Sequence, residues 1–198
     1  MKTINQKNKP MRKLVLGAAM LLMTQIGFGQ VVSDQAVIPV SVTLNSILRL
    51  SVLSGGNIQF VVNTIDEYSA GIPNSDRYTT TFAVASSRVF DVFLNAETTD
   101  LISTDNAGLT MDLDNIGYEV PDNLGGGTFI GAVSGLTNAQ VLVVDDSPAG
   151  NSSSADNQFS ILWRLGTGEA GMNAASLLDQ NITADNYVTS VFLVVVPQ

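Results

Sequence analysis

Apolar and polar residues alternate in short runs along the chain, and clusters of turn-forming residues separate the runs at fairly regular spacing. No long segment carries a helical period. The pattern predicts strands over 36–44, 47–52, 57–62, 79–86, 89–96, 109–113, 116–120, 128–133, 140–144 and 158–165, then a last one through the apolar run Val191 to Val196. Gly, Pro, Asn, Asp and Ser gather in the separators 54–56, 71–76, 122–127 and 145–157, as turns require. Only 172–180 reads as a short helix of about two turns.

The alternation also sorts faces. Ile38, Val40, Val42 and Leu44 fall on one side of their run, and so do Leu48, Leu50 and Val52. Phe82 and Val84 share a face, as do Phe159, Ile161, Trp163 and Leu165. Half-buried strands of this kind need a second sheet to cover them, so the expected fold is all-β, a two-sheet Greek-key sandwich, with a barrel as the alternative. The run Val191 to Val196 does not alternate. A half-exposed strand would alternate, so what covers its second face and its edges is the first question the sequence raises.

Residues 1–30 follow another rule. A start carrying four Lys and Arg12 leads into a short apolar stretch that ends in small residues. That is the pattern of a cleaved secretory signal, too short for a spanning helix of about 20 residues. The expected organisation is therefore a signal peptide over 1–30 and one domain over 31–198. Beyond residue 30 four arginines face all eighteen acids, a formal charge of −14. Such a surface disfavours nucleic acid and anionic membranes as partners, because both bind clustered cations.

The chain contains no Cys and no His. Disulfides, thiol nucleophiles, histidine triads and the usual zinc sites are therefore excluded. Beyond residue 30 there is no Lys, so a Lys–Asn isopeptide staple is excluded too. Asp112 with Asp114 on one strand face, and adjacent Asp145 and Asp146, are pairs that eighteen acids produce by chance, and no motif supports a hydrolase. The expectation is a protein that is not an enzyme and carries no cofactor or metal. The stretch 112–117 opens like a calcium loop but has Ile116 at the third ligand position, so the EF-hand reading fails. A looser oxygen cage from Asp145, Asp146, Asn151 and Asp156 is the calcium alternative. Trp163 is expected in the core beside Ile161 and Leu165 rather than stacked on a sugar.

Two stretches carry a family resemblance. Residues 36–60, an alternating run, a short polar break, a second run and a Gly-rich turn before an aromatic-bearing third, resemble the start of secreted bacterial β-sandwich subunits of the spore-coat-U and fimbrial type. Residues 176–198, a polar loop passing through Tyr187 into a last strand, are similar to the ending of such pilin-like subunits. The resemblance implies a sandwich that lacks one strand and takes it from another subunit. The donor would be 31–44, offering Ile38, Val40, Val42 and Leu44, and the acceptor edge would carry Val191, Leu193 and Val195. It further implies an exported structural or adhesive protein at the outer surface of a Gram-negative cell, reached through the periplasm, with other copies or related subunits as partners. A self-contained sandwich with 31–44 as its own first strand fits the same alternation, as does a module binding glycan or protein through loops 97–108 or 145–157.

Overall fold

The structure is a computed structural model and describes residues 36–121, 128–129, 131–145 and 157–198. The expected signal peptide lies outside the described residues, as do turn 122–127 and most of loop 145–157. The chain divides into a stretch Met1–Thr43 and a packed unit Leu44–Gln198.

The packed unit is all-β. Its strands are β1 (Leu48–Ser54), β2 (Thr79–Ser86), β3 (Phe90–Ala96), β4 (Asp100–Ser103), β5 (Thr110–Asp112), β6 (Ile116–Glu119), β7 (Thr128–Phe129), β8 (Ser134–Gly135), β9 (Val141–Asp145), β10 (Gln158–Leu165), β11 (Tyr187–Val188) and β12 (Val191–Pro197). All described pairings are antiparallel, in the orders β1-β2-β10-β6-β8, β12-β3-β9-β7 and β11-β4-β5. Three ladders therefore replace the two expected. Each order is open-ended among the described residues. The short third ladder prolongs the second: β4 follows β3, β11 precedes β12, and Glu97 N–H donates to Ser190 O across the break.

Strands from the two longer sheets meet in one core. Phe82 and Val84 of β2, Tyr118 of β6 and Phe159, Ile161 and Trp163 of β10 pack with Phe90, Val92 and Leu94 of β3 and Val143 and Val144 of β9. Burying each such side chain stabilises by about 1.5–3 kcal/mol, so this cluster is the main reason the sheets associate. Phe82 and Phe159 sit opposite each other in register, their ring centroids 5.2 Å apart. Ile72, Leu165 and Leu177 form a smaller cluster beside it, seeded where Ile72 bridges Leu165.

Several sequence expectations are corrected here. Residues 36–44 form no strand: they have no ladder partner, and Ile38, Val40, Val42 and Leu44 are 80%, 84%, 78% and 90% exposed. Residues 57–62 likewise form no ladder. Within loop 97–108, residues 100–103 are strand β4. Asp112 closes β5 and Asp114 sits in a 3-10 turn (Leu113–Asn115), so they do not share a strand face. The helix expected over 172–180 is a series of turns, because Asn173 Oδ1 and Ser176 Oγ accept from backbone N–H groups two and three residues on and compete with helical bonds. Among the described residues the α-helix is α1 (Ile65–Ala70).

Candidate functional site

The packed unit holds a groove of about 970 Å³ whose lining comes entirely from residues 52–193. Its lining includes two continuous stretches of chain, residues 55–62 and residues 182–191. Walls made of successive residues give a trough that follows an extended chain, in contrast to the convergent side chains around a compact ligand. The floor is the core itself, with Leu101, Ile161 and Trp163 among its residues.

The first wall begins where β1 ends. A register shift between Val52 and Ser54 bends the edge strand, and a turn at Gly55 follows. Gly55 has φ +64°, and a Cβ there would lie 2.0 Å from Thr79 O, so only glycine fits. Thr80 Oγ1 donates to Gly55 O at 2.7 Å and accepts from Trp163 Nε1–H at 2.9 Å, which ties this turn to the core. The chain then runs through 57–62 with Ile58, Phe60 and Val62 less exposed than their neighbours; Ile58 and Phe60 pack on the main core, Phe60 and Val62 on the smaller one. Phe60 stacks on Tyr78 at 4.4 Å between centroids. Among the described residues, the backbone groups of 57–62 make no hydrogen bond.

The second wall is an edge already paired on its far side. Thr104 N–H donates to Asn186 O, β11 pairs with β4, Glu97 N–H donates to Ser190 O, and β12 pairs with β3 along its whole length. The opposite edge of residues 187–197 has no strand against it among the described residues. Polar contacts fix this wall: Ser103 Oγ donates to Asp185 Oδ2, Asn186 N–H to Asp185 Oδ1 at 2.7 Å, and Tyr187 Oη–H to Thr183 O at 2.7 Å. Desolvation, then the Asp185 carboxylate and Tyr68, hold the Tyr187 phenol above its ordinary value, so it remains a donor at neutral pH.

Of the acceptor residues expected from sequence, Val191 and Leu193 line the groove, while Val195 packs against the core without lining it. Ile38, Val40, Val42 and Leu44 are exposed. Trp163 is 6% exposed and tilted against Tyr118 at 6.0 Å, so it is a core residue whose ring also reaches the groove floor. Of the expected calcium ligands, Asp145 is an exposed end of β9 and the other three lie outside the described residues. No group of three or more candidate metal ligands occurs among the described residues. Segment 57–62 as an unpaired wall was not foreseen, although the alternation of Ile58, Phe60 and Val62 was the signal for it. No described helix is long and apolar enough to cross a membrane.

What such a trough can do is bind an extended chain. Unpaired backbone edges supply hydrogen bonds, and an apolar floor takes every second side chain. No protein-family model matches the chain, and no curated protein sequence matches it.

Proposed function

We propose that the protein is an exported structural subunit of the cell surface, a Greek-key sandwich whose groove accepts an extended strand from another copy, and whose own residues 31–44 are the strand it gives. One observation carries this reading: a trough along an unpaired β edge exists in a chain that also holds an exposed row of four apolar residues at period two. An exposed row of this kind is a liability unless something covers it. The resemblance to pilin-like subunits and the charge of −14, which keeps a secreted protein soluble, support the same assignment.

The test compares residues 31–198 with a form lacking 31–40, by size-exclusion chromatography with light scattering. The longer form is expected to assemble as concentration rises, and the shorter one to stay a folded monomer that binds a peptide of residues 36–44. Leu193→Asp, which puts a charge beside the groove, is expected to block uptake of that peptide. A shorter form that unfolds at every concentration would make 31–44 an internal strand. A folded one that takes up oligosaccharide and ignores the peptide would make the groove a glycan site.

A further inference from the structure

Strand β12 carries apolar residues on both sides, and the register of its sheet shows where the second side goes. Val191, Leu193 and Val195 pair with Ala96, Leu94 and Val92, which are buried, so these three belong to the inner face. Phe192, Val194 and Val196 pair with Asn95, Phe93 and Asp91 and stand on the outer face, where Phe93 also pairs with Leu142 of β9. Phe93, Leu142, Phe192, Val194 and Val196 therefore share one outer surface. None of them packs on either core cluster, and Phe192 and Val196 are 46% and 42% exposed. The solvated face of an antiparallel sheet is ordinarily polar. This one is apolar, and its chemistry calls for a partner.

We infer that this face is where two copies of the chain dock, outer sheet against outer sheet. The occupant follows from charge and from what the face offers. Residues 31–198 carry a formal charge of −14, yet among the outward positions of β3 and β12 Asp91 alone is charged, and its Oδ1 accepts from Gln198 Nε2–H at 2.7 Å. A cationic partner finds one carboxylate there to meet. A glycan finds few free polar groups, since Asn95 Nδ2–H donates to Ala96 O at 3.1 Å. A second copy brings the same apolar face, so like-charged bodies meet where their charge is least. A two-fold axis across the strands at the level of Phe93 and Val194 keeps the two Asp91 carboxylates at opposite ends of the contact. Sheets of equal twist stack in this way about 10 Å apart. Area sets the strength: the 7 residues of β12 by three strands make about 23 Å by about 14 Å, roughly 320 Å² on each copy, against about 800 Å² per partner in a stable complex. The contact is therefore a weak one, formed where copies are crowded, and it needs no strand exchange.

The chain has no Cys, so a single introduced one reports its own contacts. Val194→Cys in the full chain, treated with a bis-maleimide spanning about 10 Å, is expected to give a covalent dimer whose yield rises with protein concentration. Arg49→Cys, at an exposed position on β1 of the other sheet, is the comparison. At about 1 mM protein it is expected to cross-link at least about tenfold more slowly, as random encounter would. Phe93→Glu sets a second carboxylate into the face and is expected to cut the Val194→Cys yield at least about tenfold. Phe192→Ser, at an exposed position, repeats that test with less risk to the fold, which circular dichroism checks. Excess peptide of residues 36–44, a competitor for the groove, is expected to leave the yield unchanged. Equal yields from Val194→Cys and Arg49→Cys, or no dimer from either, overturn the inference. So does a yield that Phe93→Glu and Phe192→Ser leave intact. A yield abolished by the peptide assigns the contact to strand exchange and overturns the outer face, while an unchanged one leaves the face standing whatever becomes of the groove. Protection of the introduced thiol by a soluble cello-oligosaccharide, with no dimer formed, gives the face to a glycan instead.

Discussion

Trp163 illustrates how one side chain joins the core to the groove. Its ring is buried against Tyr118, and its N–H enters a relay through Thr80 Oγ1 to Gly55 O, the turn from which the first wall starts. Trp163→Ala removes ring and relay together and is expected to destabilise the unit by about 3–5 kcal/mol. Thr80→Val keeps the shape but leaves the indole N–H and Gly55 O unpaired, and is expected to cost about 1–3 kcal/mol. Denaturant unfolding followed by far-ultraviolet circular dichroism measures both, and an unchanged midpoint in the alanine variant would remove Trp163 from the core. Arg164, next in the chain, is 5% exposed and faces the opposite side of β10. Its guanidinium meets Glu119 at 2.6 Å and also Glu169, two carboxylates that keep a nearly buried cation from being left uncompensated.

Among the elements, α1 is six residues long and holds no buried residue, so it depends on its cap. Thr64 Oγ1 accepts from Glu67 N–H at 3.1 Å, and Glu67 Oε2 accepts from Asn63 N–H at 2.7 Å and Thr64 N–H at 2.9 Å, a reciprocal capping box. The bonds from Asn63 and Thr64 hold the Glu67 carboxyl below its ordinary value of 4.5. A lowered folded-state value means that the contribution is fully present above 4.5 and is lost as pH falls through the lowered value. Amide protection at Tyr68 and Gly71, corrected for intrinsic rates, is expected to fall over that acid range, and Glu67→Gln is expected to flatten the dependence; a flat profile in the unchanged chain would dismiss the box. The motif Thr64-x-x-Glu67 stands in the sequence, but no apolar helical period follows it to mark a helix. Strands β2 and β10 were legible to the residue, since their alternation coincides with burial between two neighbours. Strand β4, set among the polar residues 97–106, offered too few apolar residues to register. The alternation that makes β2 legible predicts strands over 36–44 and 57–62 as well. Alternation records which side chains face inward, and it carries no record of whether a partner edge is present in the same chain.

At the scale of the molecule the governing quantity is charge. Residues 31–198 hold four arginines, of which Arg164 is buried between two glutamates and Arg77 lies over the Tyr78 ring at 5.5 Å, against eighteen acids. Two such bodies repel as they approach, while the contacts that would join them, backbone hydrogen bonds and apolar side chains in a groove, respond weakly to salt. Repulsion therefore acts on the encounter, and pairing acts on the lifetime of what forms. Raising ionic strength from about 0.01 M to 0.15 M shortens the screening length from about 30 Å to about 8 Å. Assembly of residues 31–198, followed by light scattering from a common starting concentration, is expected to speed up severalfold over that range, with little change in how fast assembled material dissociates on dilution. A synthetic peptide of residues 36–44 carries no charged side chain, so its rate of entry into the groove is expected to be almost independent of salt. Assembly that slows as salt rises would mean that opposite charges attract across the interface. With so few arginines exposed, that result would move the contact away from the groove and toward a surface carrying Arg49 or Arg88.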